Sequence, residues 1–292
     1  LVNAIPRAKK IIKDFQPDIV IGTGGYVCGP ILKAATQLGI KTAIHESNAF
    51  PGVTTKLIAS KADVVMVATT AAIGYLPEDA NCVVTGNPIS SDFFGTDKKL
   101  ARQKLKIKED KFVVLSYGGS LGAGRINETV SDLIEWEQSV GGIHHIHSYG
   151  RMGKDTFVKA LEDKGIFPNS NPDLDIREYI NNMATCMAAA DMVICRAGAM
   201  TLSQIQALGL PAILIPSPIV AENHQYKNAM VLENNNAGIV IEQDKLTSEL
   251  LIEKVKDLYN NREKLEEIIP KAEQSEGTEE TESGESGEAT SE

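Results

Sequence analysis

Between Ile194 and Gln225 the chain reads ICRAGAMTLSQIQALGLPAILIPSPIVAENHQ, and no other stretch narrows the possible folds as far. An apolar run, Asp191–Cys195, meets a small-residue turn, Arg196-Ala197-Gly198-Ala199, and a helix opens from Met200 and stops at Gly209. A second apolar run, Pro211–Ile215, breaks at Pro216 and Pro218 and leads into Glu222-Asn223-His224-Gln225. Strand, helix and strand in that order make a βαβ unit with parallel strands. The first N–H groups of such a helix are unpaired and carry partial positive charge, so the turn can seat a phosphate or the edge of a base. Both strand ends reach the sheet edge at which open α/β sheets bind ligands.

The same grammar runs through the chain. Asp18–Ile21 is a buried-type strand that enters Gly22-Thr23-Gly24-Gly25-Tyr26-Val27-Cys28-Gly29-Pro30, a glycine turn of phosphate-binding type followed by a helix. Lys41–His45 is the next strand and ends in the polar cluster His45-Glu46-Ser47-Asn48; Asp63–Ala68 and Cys82–Thr85 repeat the pattern, the latter ending at Gly86-Asn87-Pro88. After a lysine-rich helix over Asp97–Lys106, a second cycle opens with strand Lys111–Tyr117, the turn Gly118-Gly119-Ser120-Leu121-Gly122-Ala123-Gly124 and a helix to about Gln138. Strands at Ile143–Tyr149, Leu174–Glu178, Met192–Cys195, Ala212–Ile215 and Gly238–Ile241 follow, with helical segments between. Regular alternation implies parallel sheets covered on both faces. The break near Pro88 divides them into two Rossmann-like domains facing a cleft, at 1–88 and 89–270, with 271–292 as a separate tail.

Charge sharpens this division. The formal charge is −10, but residues 271–292 hold eight Glu and one Lys, so the rest of the chain is nearly neutral and offers no nucleic-acid groove. The tail is built almost wholly from Glu, Ser, Thr and Gly, which predicts a disordered segment without a site. Cys28, Cys82, Cys186 and Cys195 show no paired spacing; two lie in or beside apparent strands, where Cys acts as a small buried apolar residue, and a reducing compartment fits. Asp173-Leu174-Asp175 is the one Asp-x-Asp, and no ligand-spaced cluster of Asp, His or Cys accompanies it, so neither a metal nor another cofactor is expected. Residues 1–13, LVNAIPRAKKIIK, set Leu1, Val2 and Ile5 beside Arg7, Lys9, Lys10 and Lys13, a composition suited either to an anionic membrane surface or to a helix packed on a sheet. The chain opens at Leu1 in the middle of this helical pattern, as a fragment would.

GTGGYVCGP, HESNAFPGVTTK, TGNP, YGGSLGA and CRAGAMTLSQIQALGLPAILIPSP…ENHQYKNA, in this order, resemble the bacterial MurG-type transferases over residues 1 to about 260. The resemblance implies a two-domain GT-B glycosyltransferase, its first domain truncated. It implies inverting transfer of N-acetylglucosamine from UDP-N-acetylglucosamine to a polyprenyl-diphosphate muramyl-peptide, in peptidoglycan synthesis at the cytoplasmic face of the cell membrane. The donor diphosphate would then lie against Gly118, Gly119 and Ser120, uracil near Ile180, and the nucleotide against Ala199, Met200 and Thr201. Gln225 would bind the transferred sugar. Tyr26, His45, Glu46 and Asn48 would line the acceptor side, with His45 and Glu46 the candidates for acid–base or positioning roles. Ser90 stands where the family has an Arg on the diphosphate, and Gln204 where it has an acidic residue on the ribose. Leu121 and Ser47 each replace a family Gln, and the family's first glycine turn, which carries a His, lies upstream of Leu1. Two other readings compete: a nucleotide-sugar-binding fragment that needs a partner chain, and a UDP-N-acetylglucosamine epimerase of the same architecture.

Overall fold

The computed structural model describes residues 4–269, so the acidic tail and Leu1 and Val2 lie outside the described residues. The first part of the chain comprises α1 (Ala4–Phe15), β1 (Ile19–Gly22), α2 (Cys28–Gln37), β2 (Lys41–Glu46), α3 (Val53–Ile58), β3 (Val64–Val67) and β4 (Cys82–Val84). Then come α4 (Lys98–Leu105), β5 (Phe112–Tyr117), α5 (Gly124–Val140), β6 (Ile143–Ser148), α6 (Phe157–Asp163), β7 (Leu174–Arg177), α7 (Met183–Ala189) and β8 (Met192–Cys195). The chain continues through α8 (Ala199–Leu208), β9 (Ala212–Leu214), α9 (His224–Asn234), β10 (Ile239–Val240), α10 (Ser248–Asn260) and α11 (Arg262–Glu267). All ten expected strands form, several a residue or two shorter than the apolar runs that announced them.

Every strand pairing is parallel. β1 to β4 lie side by side in chain order, and the larger sheet runs β10-β9-β8-β5-β6-β7. In the larger sheet the chain moves outward from β5 to β7 and then returns to lay β8 on the other side of β5. This reversal opens a crevice between the carboxyl ends of β5 and β8, the place where doubly wound sheets take their ligands. Both expected turns, after β5 and after β8, sit there.

The larger sheet buries both faces. One carries Leu115, Ile146, Val193 and Leu214 against Cys186, Met187, Leu202 and Ile205 of the α7 and α8 side. The other carries Val114, Ile194 and Ile213 against Ile126, Leu133, Leu251 and Val255 of α5 and α10. Each such side chain contributes roughly 1.5–3 kcal/mol on burial. α4 is tied to this sheet by Arg102, which bonds Asp191 at 2.7 Å while the same carboxylate oxygen accepts Val113 N–H at 2.7 Å. The burial of Cys186 and Cys195 agrees with their reading as apolar residues; it pushes their thiols up to about 11 and about 12.

In α1, Ala8 and Ile12 pack against Ala34 and Ala35 of α2, and Ile5 joins that contact. The apolar face expected at Ile5 is thus turned partly inward, because Ile5 lies one turn from Ala8 on the packed side. Ile11 and Phe15 are the exposed apolar residues of the helix, together with Arg7, Lys10 and Lys13. No described helix is long and apolar enough to cross a membrane.

Candidate functional site

A cleft of about 820 Å³ opens beside the turn that follows β5. Gly118, Gly119 and Ser120 form one wall, Arg125 and Asn127 of α5 continue it, and Arg196, Ser217, Gln225 and Gln243 close the opposite side. The turn is shaped by contacts that admit no side chain. Gly122 has φ +84°, and a Cβ there would stand 2.2 Å from the Tyr149 carbonyl oxygen. That approach is what brings the start of α5 against the loop after β6. α5 has Ala123 at its N-cap with no side-chain cap and no acidic residue in its first turn. Its leading amides are therefore available to an anion in the cleft.

Gln225, in the first turn of α9, accepts Ser217 N–H at 2.9 Å through Oε1. Its amide nitrogen has no protein partner among the described residues and remains a donor for a ligand. Arg196 donates to the carbonyls of Ile215 and Pro216 at 3.0 and 3.1 Å and to Gln243. Burial lowers its pKa, but a guanidinium keeps its charge in proteins, so the cleft wall is cationic at this point. Arg196 was legible only as part of a turn; nothing in the spacing announced that its side chain would span the ends of two strands.

The other expected donor residues lie around this cleft rather than in its wall. Ala199, Met200 and Thr201 form the first turn of α8, whose N-cap Gly198 offers no side-chain cap. Gly198 has ordinary extended backbone, and a methyl group there would meet only Thr201 Oγ1 at 3.8 Å, so the turn does not require glycine. Gln204 lies one turn further along α8, half-buried. Ile180 is 3% exposed and belongs to the core, so only its backbone can meet a base. Ser90 is exposed and its hydroxyl bonds Asp92, which closes the local turn at 91–93.

On the first sheet, β2 delivers His45 and Glu46 to its carboxyl end. Glu46 is 5% exposed and accepts four bonds: Asn48 N and Nδ2 at 3.0 and 3.1 Å, Gly52 N at 2.9 Å and Thr55 Oγ1 at 2.7 Å. A carboxylate has about four acceptor sites, so none is left for a substrate proton. Glu46 shapes the 46–55 loop. His45 Nε2 lies 3.0 Å from the Gly86 carbonyl and must carry the proton, while Nδ1 faces the Ser47 hydroxyl at 3.4 Å. Tyr26 is 96% exposed on the first glycine turn.

The 46–55 loop is pinned to the larger sheet's helices. Asn228 of α9 accepts Ala49 N–H at 3.0 Å and donates to Asn48 Oδ1 at 3.0 Å. Asn87 donates to the Ser47 carbonyl at 3.2 Å and to Ser203 Oγ of α8 at 2.9 Å. Asn228 and Asn87 were missed as site residues although both stand inside quoted motifs, ENHQYKNA and TGNP. One α9 helix thus carries Gln225 to the cleft and Asn228 to the loop.

Two family models match the chain: the glycosyltransferase family 28 N-terminal domain over residues 1–67 and its C-terminal domain over 113–283. A relative from Acetivibrio thermocellus, named UDP-N-acetylglucosamine–N-acetylmuramyl-(pentapeptide) pyrophosphoryl-undecaprenol N-acetylglucosamine transferase, is 43% identical over 272 residues, 93% of this chain and 72% of the relative. A relative of the same name from Caldanaerobacter subterraneus is 43% identical over 91% of this chain and 72% of its own length. The crystal structure of Acinetobacter baumannii MurG superposes with a TM-score of 0.71 at 29% identity, covering 91% of this chain and 72% of that one. A UDP-GlcNAc 2-epimerase from Neisseria meningitidis has a TM-score of 0.62 at 15% identity over 93% of this chain and 76% of that one, a likeness of fold alone. With both domain models matched in order and relatives of this identity over most of its length, the chain belongs to glycosyltransferase family 28, in its MurG-type branch.

Proposed function

We propose that this chain transfers N-acetylglucosamine from UDP-N-acetylglucosamine to a muramyl-pentapeptide carried on a polyprenyl diphosphate, with inversion at the anomeric carbon. The observation that carries the reading is the uncapped N-terminus of α5 at the 820 Å³ cleft, with the Gln225 amide on the opposite wall. Inverting displacement needs a leaving diphosphate stabilised on one side and an acceptor hydroxyl held on the other. Gly118, Gly119 and Ser120 supply the turn for the diphosphate, and Gln225 holds the sugar. Ala199, Met200 and Thr201 present backbone donors to the nucleotide, and Gln204 follows on the same helix for the ribose. Removal of one fixed donor to a developing anion typically costs about 2.7–4 kcal/mol of barrier. Ser90 leaves the diphosphate without a cation at that position, and Arg125 and Arg196 are the guanidinium groups in the cleft wall. Asn48, kept in place by Glu46 and Asn228, presents the acceptor, with Tyr26 exposed beside it on the first turn. His45 and Glu46 act as positioning residues of this loop. α1, with Arg7, Lys10 and Lys13 beside Ile11 and Phe15, rests on the anionic cytoplasmic face of the membrane as a peripheral anchor.

The test separates transfer from epimerisation. Incubated with UDP-N-acetylglucosamine alone, the protein should leave the sugar unchanged, and UDP should appear only when the lipid-linked muramyl-peptide is added. Conversion of the donor to its 2-epimer without acceptor would replace this reading with the epimerase one.

A further inference from the structure

Phe50, in the loop after β2, is approached by two ammonium groups from different parts of the molecule. Lys56 Nζ of α3 lies 3.7 Å from the ring centroid and Lys227 Nζ of α9 lies 3.1 Å from it. The two charges are therefore at most about 7 Å apart, close enough to repel across a partly dry seam. Neither lysine has a carboxylate within ion-pair distance among the described residues, although the chain as a whole is acidic. Glu46, the carboxylate of the same loop, is fully taken up by Asn48, Gly52 and Thr55.

Three further features surround this pair. Lys227 stands in the first turn of α9, an 11-residue helix with no acidic residue in that turn and no side-chain cap at Asn223. His224, at the start of α9, has its ring 6.4 Å from Phe50, and its Nδ1 is buried without a partner. Phe50 itself is held by an edge contact with Tyr75 at 4.7 Å. A cation–π contact offsets part of the cost of bringing one ammonium here, but it gives no reason to bring two. An anion that bridges the two ammonium groups would meet both charges close to the first turn of α9.

We propose that Lys56 and Lys227 form a diphosphate-binding subsite at the seam between the two sheets, organised on Phe50. The identity of the diphosphate rests on the proposed transfer: it belongs either to the lipid-linked acceptor or to the UDP-sugar. Occupation neutralises the lysine pair and reinforces the contact that Asn228 of α9 already makes with Asn48 and Ala49 of the 46–55 loop.

The test uses the whole chain with Lys56→Met, Lys227→Met and the corresponding Arg variants. Methionine keeps an apolar stem against Phe50 and removes only the charge; thermal unfolding checks that the fold survives. Titration with inorganic pyrophosphate should weaken about tenfold for each methionine and recover with arginine. UDP, uridine and farnesyl diphosphate then identify the source. Loss confined to farnesyl diphosphate assigns the subsite to the acceptor, and loss for UDP but not uridine assigns it to the donor. Unchanged pyrophosphate affinity in both folded methionine variants, or an equal loss for uridine, would overturn the subsite. The pyrophosphate titration is independent of turnover, so an inactive protein that still binds it through these lysines would refute the transfer reading and not this one.

Discussion

At the scale of single residues, the site depends on which polar groups are already committed. Glu46 is acceptor-only and faces four donors, so Glu46→Gln turns an amide NH₂ against N–H and O–H groups that have nowhere else to go. The change should lower stability by about 2–3 kcal/mol, the cost of unsatisfied buried groups. It should also raise hydrogen exchange at the Asn48 and Gly52 amides; unchanged exchange would mean that Glu46 does not hold the loop. Gln204 is the opposite case, an uncommitted side chain. If it meets the ribose, Gln204→Glu should tighten UDP by about 1–2 kcal/mol through charge-assisted bonds, and by less for the 2′-deoxy nucleotide. Equal gains for both nucleotides in calorimetry would place residue 204 away from the sugar. The sequence made Glu46 and His45 visible as a polar cluster at a strand end, yet it could not say which lone pairs would be occupied. That depends on Gly52, Thr55 and Gly86, brought in by the loop and by a neighbouring strand end.

At the scale of elements, the strands were legible because parallel, doubly covered strands are short, apolar and bounded by turns. The polar strand β6 was the less obvious member: IHHIHS carries three histidines, and all six residues are buried. His145 Nδ1 bonds Glu137 of α5 at 2.7 Å, and Ser116 of β5 lies 2.7 Å from both His145 Nε2 and His147 Nδ1. Burial pushes His147 well below the ordinary histidine range, and it lowers His144 as well. Both histidines stay neutral in the folded protein at a pH where the unfolded chain takes up protons. Stability should therefore be insensitive to these groups above pH ~6.5 and fall below it, by up to about 1.4 kcal/mol per pH unit for each histidine. Urea unfolding from pH 7.5 to 5 should show the slope, reduced in His147→Phe, where the ring still stacks on Phe157. An identical slope in that variant would assign the effect to other groups. Such a network joins three elements through alternate residues, so periodicity marks the strand but not the partners.

At the scale of the whole molecule, two parallel sheets meet through a small polar seam: Asn48 with Asn228, Asn87 with Ser203, and Phe50 under Lys227. Motif order located the segments that meet at the seam but not the residues that touch, and α9 shows why pairwise contacts across it were not readable. Gln225 and Asn228 are three residues apart on one helix, yet they serve the cleft and the loop respectively. In the proposed function the seam joins the donor and acceptor sides, and α1 is the helix that meets the membrane. Its exposed residues differ from those the composition pointed to, because Ile5 turns toward α2 and Ile11 and Phe15 do not. Vesicles rich in anionic lipid should bind the protein weakly, with strong salt dependence, and Lys10→Glu with Lys13→Glu should release it, since each cation contributes about 1 kcal/mol near such a surface. Unchanged binding in that double variant would leave α1 as a packing helix only. In the proposed reaction the cleft seats a UDP-sugar whose anomeric carbon is attacked from the side of the 46–55 loop. The most direct measurement is the anomeric configuration of the product formed from UDP-N-acetylglucosamine and a lipid-linked muramyl-peptide, read by proton NMR of the isolated disaccharide. A β-linked N-acetylglucosamine with one UDP released per linkage is expected; an α-linked product, or UDP released without any glycosidic bond to the muramyl acceptor, would rule out inverting attack from that side.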